Sequence, residues 1–253
     1  MSPILYSLLV GSVGGPFGGI AAAVAGVTFL PKSSDRAKAE ILAFAGGFIL
    51  ASAFIEMLGE SLQRSEKGPW WVAVLVLGGV VAGAAVHAGV QHIWGTGGGE
   101  VESDPGAARR QAREISFSLT VINFIEGLPI GAAFAVSERL GLLIGFLNIL
   151  ENATEGITIA SDLSGQRPGF WRMAWLTTAP TVTLGFGAAL AAWLGGISPI
   201  VLVAFLAAGA GIMLHMSTGD ILGDAQDLND HRIPAAGFFA GVLCSILFMQ
   251  LGG

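Results

Sequence analysis

Charge and sulfur are what this sequence has least of. Only 12% of its 253 residues are Asp, Glu, Lys or Arg, about half the share that a water-soluble domain carries. A soluble surface cannot be covered with so few polar groups. The one cysteine, Cys244, excludes an intramolecular disulfide and a cage of thiolate ligands. Twelve Lys and Arg against eighteen Asp and Glu leave a net charge of -6 and no basic face for nucleic acid. No apolar segment contains an H-E-x-x-H zinc motif or a nucleophile beside a base, so the chain does not read as an enzyme. What the sequence does have is 53% hydrophobic residues, 38 glycines and a mean hydropathy of +0.71. These predict an integral membrane protein whose main partner is the lipid bilayer.

A bilayer-spanning helix needs about 20 apolar residues. Runs of that kind lie at 3–30, 39–62, 70–94, 114–136, 140–162, 171–194, 198–222 and 234–252, which predicts an all-α fold of eight transmembrane helices in one domain covering 1–253. The first run lacks a basic leader and is longer than a signal-peptide core, so it is expected to be a retained helix. The stretch 95–113, with Gly97-Gly98-Gly99 and Asp104-Pro105-Gly106, reads as a flexible cytoplasmic loop. Nine of the cations, among them Lys32, Arg36, Lys38, Arg109, Arg110 and Arg113, fall in odd-numbered loops, and three, Arg64, Lys67 and Arg139, in even ones. Cations stay on the cytoplasmic side, so both termini are expected outside, in a compact protein of the bacterial inner membrane.

Carboxylates within apolar spans are costly unless paired, hydrated or bound to a cation. The fourth span holds Asn123-Phe124-Ile125-Glu126-Gly127, and the fifth holds Glu151-Asn152-Ala153-Thr154-Glu155-Gly156. The shared N-x-x-E-G pattern puts amide and carboxylate on one helix face. With a connection around residues 137–141, Glu126 lies about 17 Å and Glu155 about 21 Å from it. Asn123, Glu126, Glu151, Asn152 and Glu155 are therefore expected to gather near mid-membrane. An all-oxygen set of this kind suits a divalent cation. An inter-helix hydrogen-bonded staple is the plainer reading, and a proton relay competes with both.

Two further pairs flank that centre: Glu56-x-x-Gly59-Glu60 ends the second span, and Asp220-x-x-Gly223-Asp224 ends the seventh. With the orientation above, Glu56 and Glu60 read as an entrance and Asp220 and Asp224 as an exit, with His215 beside the same path. Interfacial solvation is the alternative for these acids, and packing is the alternative for His215. The segments upstream, 44–50 and 208–214, also look alike, as in transporters built from inverted repeats.

With these motifs in place, the chain resembles the ZIP (Zrt/Irt-like) divalent metal transporters along nearly its whole length. The resemblance implies a 3+2+3 inverted arrangement, a metal site on the fourth and fifth helices, and uptake of a divalent cation into the cytoplasm by rocking around that site. In that family the fourth helix typically reads H-N-x-P-E-G and the fifth H/Q-N/D-x-P-E-G, whereas the second and seventh end in acid-x-x-P-E. Here Ile122 stands at the histidine position, Glu151 at the His/Gln position, and Ile125 and Thr154 at the proline positions. Softer ligands are lost and a carboxylate is gained, which shifts the expected preference from zinc toward manganese or ferrous iron, with zinc retained as a candidate. The metal is substrate; no prosthetic group is expected, and the sequence leaves a homodimer open. The competing function is a proton-coupled carrier of a non-metal substrate on the same fold.

Overall fold

The computed structural model describes residues 2–28, 33–94, 105–162, 169–230 and 232–251, with side chains inside helices described except at 22, 25–27, 87, 90–94, 105–119, 150, 151, 154–162, 197, 249 and 251. Among these residues the chain forms helices and no strands, arranged as eight successive rods. The first rod is α1 (Pro3–Thr28). The second joins α2 (Asp35–Ser52), a π-helical stretch (Ala53–Leu58) and α3 (Gly59–Arg64). The next three are α4 (Pro69–Trp94), α5 (Pro105–Val136) and α6 (Glu138–Asp162). The sixth is broken into α7 (Phe170–Thr178) and α8 (Val182–Ile197). The seventh joins α9 (Pro199–His215), a second π-helical stretch (Met216–Ile221) and α10 (Leu222–Asp227). The eighth is α11 (Ala235–Leu251).

Local chemistry explains the ends. The Ser34 hydroxyl accepts from the Ala37 amide and caps α2, supplying one of the partners that a helix N-terminus lacks. Pro69, Pro105 and Pro199 open α4, α5 and α9, where a missing N–H costs nothing. Pro180 sits in the break between α7 and α8, since proline cannot carry the helical hydrogen bond through. One expectation changes here. The stretch read as loop to 113 is helical from Pro105, because Ala-Ala-Arg-Arg-Gln-Ala-Arg-Glu is built of strong helix formers; residues 95–104 lie outside the described residues.

Five stretches, Pro3–Ala21, Asp35–Arg64, Pro69–Val86, Phe170–Gly196 and Pro199–Asp227, are long and apolar enough to cross a membrane, and Thr120–Val136 and Ala235–Phe248 are shorter apolar helices. The outward residues are apolar as well: Phe17, Trp70, Leu77, Trp171, Phe186 and Phe239 are all more than half exposed. In water such a surface would be an aggregation liability; it is the surface that lipid requires. Apolar helices of this length under an apolar outer surface make the chain an all-α integral membrane protein.

Rods pack through glycine, because backbones must touch where lipid offers no hydrophobic drive between helices. A Cβ on Gly47 of α2 would be driven into the Phe238 carbonyl of α11, and one on Gly241 into that of Phe44. The second copy of this contact joins α9 and α4, with Gly211 against the Val76 carbonyl and Gly79 against that of Ala208. Positions 44 and 208, like 47 and 211, are 164 apart, and positions 76 and 238, like 79 and 241, are 162 apart. One interface has been built twice, the structural counterpart of the repeat.

The α2–α11 interface also carries polar ties. Ser52 and Ser245 share a buried hydrogen bond of 2.7 Å. The Gly237 amide donates to Glu40 Oε2 at 2.7 Å, so a carboxylate from α2 caps the N-terminus of α11, where negative charge is favoured. Glu40→Ala is expected to cost about 1 kcal/mol of stability, read as a lower melting temperature in detergent; an unchanged melting temperature would mean that water replaces the cap without loss.

Candidate metal site between the central helices

The α5–α6 hairpin turns on a single residue, Ser137, whose hydroxyl accepts from the Leu140 amide at 3.1 Å. In so tight a hairpin, residues equally far from the turn face each other. Glu126 and Asn148 are each 11 residues from Ser137, and the Asn148 side-chain amide donates to Glu126 Oε2 at 3.5 Å. One turn further along α6, the Asn152 amide donates to the side-chain oxygen of Asn148 at 2.7 Å and to its carbonyl at 2.8 Å. Asn123 lies one turn from Glu126 on α5. Asn123, Glu126, Asn148 and Asn152 are all at most 3% exposed. Among the described residues, one carboxylate and three carboxamides thus stand together in the interior of the bundle. Among the described residues, Asn152 Oδ1 is a buried acceptor with no hydrogen-bond partner.

Close packing shuts this cluster off. A Cβ on Gly18 of α1 would press on Asn152 Cβ, one on Gly127 of α5 on the Leu184 carbonyl, and one on Gly187 of α8 on the Phe124 carbonyl. At the break in the sixth rod, Thr183 Oγ1 lies 2.8 Å from the Thr120 carbonyl and 2.7 Å from that of Pro180. Its hydroxyl compensates for bonds lost at the break. Broken helices beside a buried polar cluster are a recurrent feature of transporter binding sites.

Sequence reasoning and structure differ in register. A five-residue connection would have set Glu126 and Glu155 at similar depth, but the connection is one residue long, so the α6 residue level with Glu126 is Asn148. By helical rise, position 155 falls about 10 Å beyond that level along α6. Asn148 was missed, although its i, i+4 spacing to Asn152 places both on one face. The side chains of Glu151 and Glu155 lie outside the described residues. Among the described residues no three His, Cys, Asp or Glu side chains cluster as metal ligands do.

The flanking acids are placed as follows. Glu56 and Asp220 lie on the two π-helical stretches, and Glu60 and Asp224 just beyond them. Glu56 and Glu60 line a cavity of about 230 Å³ together with Arg64, Ser137, Arg139 and Leu140, and Arg64 pairs with Glu60. The cavity opens at the hairpin end of α5 and α6 and is of mixed charge rather than purely acidic. His215 lies against Gly83 of α4 and against Gly219 one turn on. Arg139→Gln should make the cavity more negative and lower the metal concentration for half-maximal uptake, by up to about tenfold at low salt and less at high salt. Uptake kinetics at two ionic strengths check this, and a salt-independent change would point to a different cause.

A helical membrane bundle with glycine-packed rods, an internal repeat and a buried carboxylate–carboxamide cluster has the plan of an ion transporter. Relatives with that function match the chain from end to end. Over 98% of its length it is similar to proteins named zinc transporter ZupT, with 28% identity to the one from Salmonella arizonae and 27% to those from Salmonella newport and Salmonella heidelberg, 95% of each relative being covered. No protein-family profile matches the chain. The ZIP resemblance drawn from the helix motifs is borne out by these relatives.

Proposed function

We propose that this protein carries zinc, or another divalent cation, across a bacterial plasma membrane into the cytoplasm, with all eight rods spanning the bilayer and both termini outside. The observation that carries the reading is the buried chain from Asn152 through Asn148 to Glu126, which ends at Asn152 in an acceptor oxygen that has no donor among the described residues. A staple between helices would be expected to satisfy its own acceptors, whereas a cation ligand keeps an oxygen in reserve. The end-to-end likeness to proteins named as zinc transporters supports the same substrate and lends nothing to a non-metal one. On this reading the protein is a carrier and not an enzyme, and the metal is its substrate rather than a resident cofactor.

Within the site, Glu126 supplies the negative charge, and Asn123, Asn148 and Asn152 supply amide oxygens. Glu151, which the hairpin register sets level with Asn123, adds a second carboxylate, and Glu155 offers a further one along α6 toward the exit. Glu56 and Glu60 gather cations at one mouth, and Asp220 and Asp224, with His215 alongside, release them at the other. Manganese and ferrous iron accept oxygen-only sites as readily as zinc does, so all three are candidate substrates. Uptake of zinc, manganese, ferrous iron and cadmium into proteoliposomes containing the purified protein tests the proposal. Uptake of at least one of them above protein-free vesicles is expected, and folded protein that moves none would refute it.

A further inference from the structure

Among the described residues, two glycines of the second and seventh rods meet no neighbour that would require glycine. Gly47, Gly79, Gly127, Gly211 and Gly241 each have a neighbour's carbonyl where a Cβ would stand, whereas among the described residues nothing lies within 4 Å of that point at Gly59 or Gly223. Neither has a positive φ, and that of Gly59 is −55°. Alanine would fit both positions and would favour helix over its alternatives. The two glycines are also equivalent, being 164 residues apart. Gly59 directly follows the π-helical stretch Ala53–Leu58, and Gly223 follows Met216–Ile221 after one residue. Each glycine is followed at once by an acid, Glu60 or Asp224, and each wide turn carries the other acid of its pair.

A π-helical turn holds more residues than an α turn and is found mostly as a single turn at functional sites. Tightening it by one residue rotates everything beyond it by roughly 100° about the rod axis. A helix-weakening residue beside such a turn lowers the resistance to that change. The arrangement occurs twice, at the two places where acids flank the buried cluster.

We propose that Gly59 and Gly223 are paired hinge positions, at which the wide turns interconvert with α-helix and so swing Glu60 and Asp224 toward and away from the ion path as the site opens to one side and then the other. The proposal rests on the transport reading above. Both are positioning residues: they act through the acids that follow them.

The test is the double variant Gly59→Ala/Gly223→Ala, with Gly78→Ala of α4 as control. Gly78 has equally open space around it and adjoins no wide turn. Each Gly-to-Ala change favours the regular helix at its own turn by roughly fivefold. The double variant is therefore expected to lose about fivefold in maximal zinc uptake rate with little change in half-saturating zinc. It should melt at a higher temperature than wild type and show slower amide hydrogen exchange over 53–58 and 216–221. The control is expected to transport as wild type does. Unchanged maximal rate despite slower exchange would overturn the proposal, as would a lower rate with unchanged exchange. Wild-type protein that moves no metal would instead strike the transport reading, while the exchange result would still report on the hinges.

Discussion

Glu126→Gln is expected to abolish metal uptake while leaving the protein folded. The substitution keeps the shape of the side chain and an oxygen facing the Asn148 amide, so the hairpin can hold its contacts. What disappears is the one described carboxylate, the group able to bring a negative charge to a cation, in a cluster otherwise made of carboxamides. In a water-poor interior, removing one partner of a buried charge pair costs about 3–5 kcal/mol, which corresponds to a loss of roughly a hundredfold or more in affinity. Two measurements separate this from a folding defect. Zinc should raise the melting temperature of wild type, because a ligand bound only by the folded state stabilises it, and should leave that of Glu126→Gln where it was. Unliganded Glu126→Gln should melt no lower than unliganded wild type, since a buried carboxylate has been replaced by a neutral group. Normal zinc uptake by Glu126→Gln would remove this residue from the ion path and return the cluster to a role in holding helices together.

The largest structural effect is expected at the glycines of the repeated interface. Gly47→Val and Gly211→Val each force a branched side chain into a neighbouring backbone carbonyl, that of Phe238 or of Val76. A backbone atom cannot swing aside as a side chain can, so the rods must separate. Overpacking of this kind costs typically 1–3 kcal/mol and sometimes more, on top of the lost close contact that holds helices together in lipid. Both variants should melt well below wild type in detergent. Because the two interfaces are copies, the two losses should be similar in size. A large loss at one site and none at the other would mean that the repeat is preserved in sequence but not in energetics. Gly78→Ala, where an added Cβ meets open space, provides the contrast: it should be neutral or slightly stabilising.

The two glycine classes show how far sequence can be read. The 38 glycines announce close helix packing, yet nothing in the residue type separates Gly47, jammed against a carbonyl, from Gly59, which meets no neighbour among the described residues. The site shows the same division. Asn123, Glu126 and Asn152 stand out from sequence because polar groups in apolar spans are rare, and all three are buried. Asn148 passes unnoticed because it lies outside the repeated N-x-x-E-G pattern, although it is the residue that bonds to Glu126. The acids at 56 and 220 are legible as a pair, but the π-helical turns on which they sit are not, since no composition marks them.

Composition and the placement of charge by themselves determined that this chain lies in a bilayer, that it is helical, and that the rare polar groups of its apolar stretches include Asn123, Glu126 and Asn152. These follow from the energetic penalty of placing polar groups in hydrocarbon, a term large enough to be visible residue by residue. The tertiary structure alone decided which α6 residue faces Glu126, that Glu56 and Glu60 share their cavity with Arg64 and Arg139, and that the second and seventh rods widen within one residue of equivalent points. Each of these depends on register: a connection of one residue instead of five, or one additional residue in a turn, shifts a side chain by roughly a quarter of a helical turn or more. Register is set by how backbones seat against one another across glycine contacts, and that information is carried jointly by residues far apart in the chain.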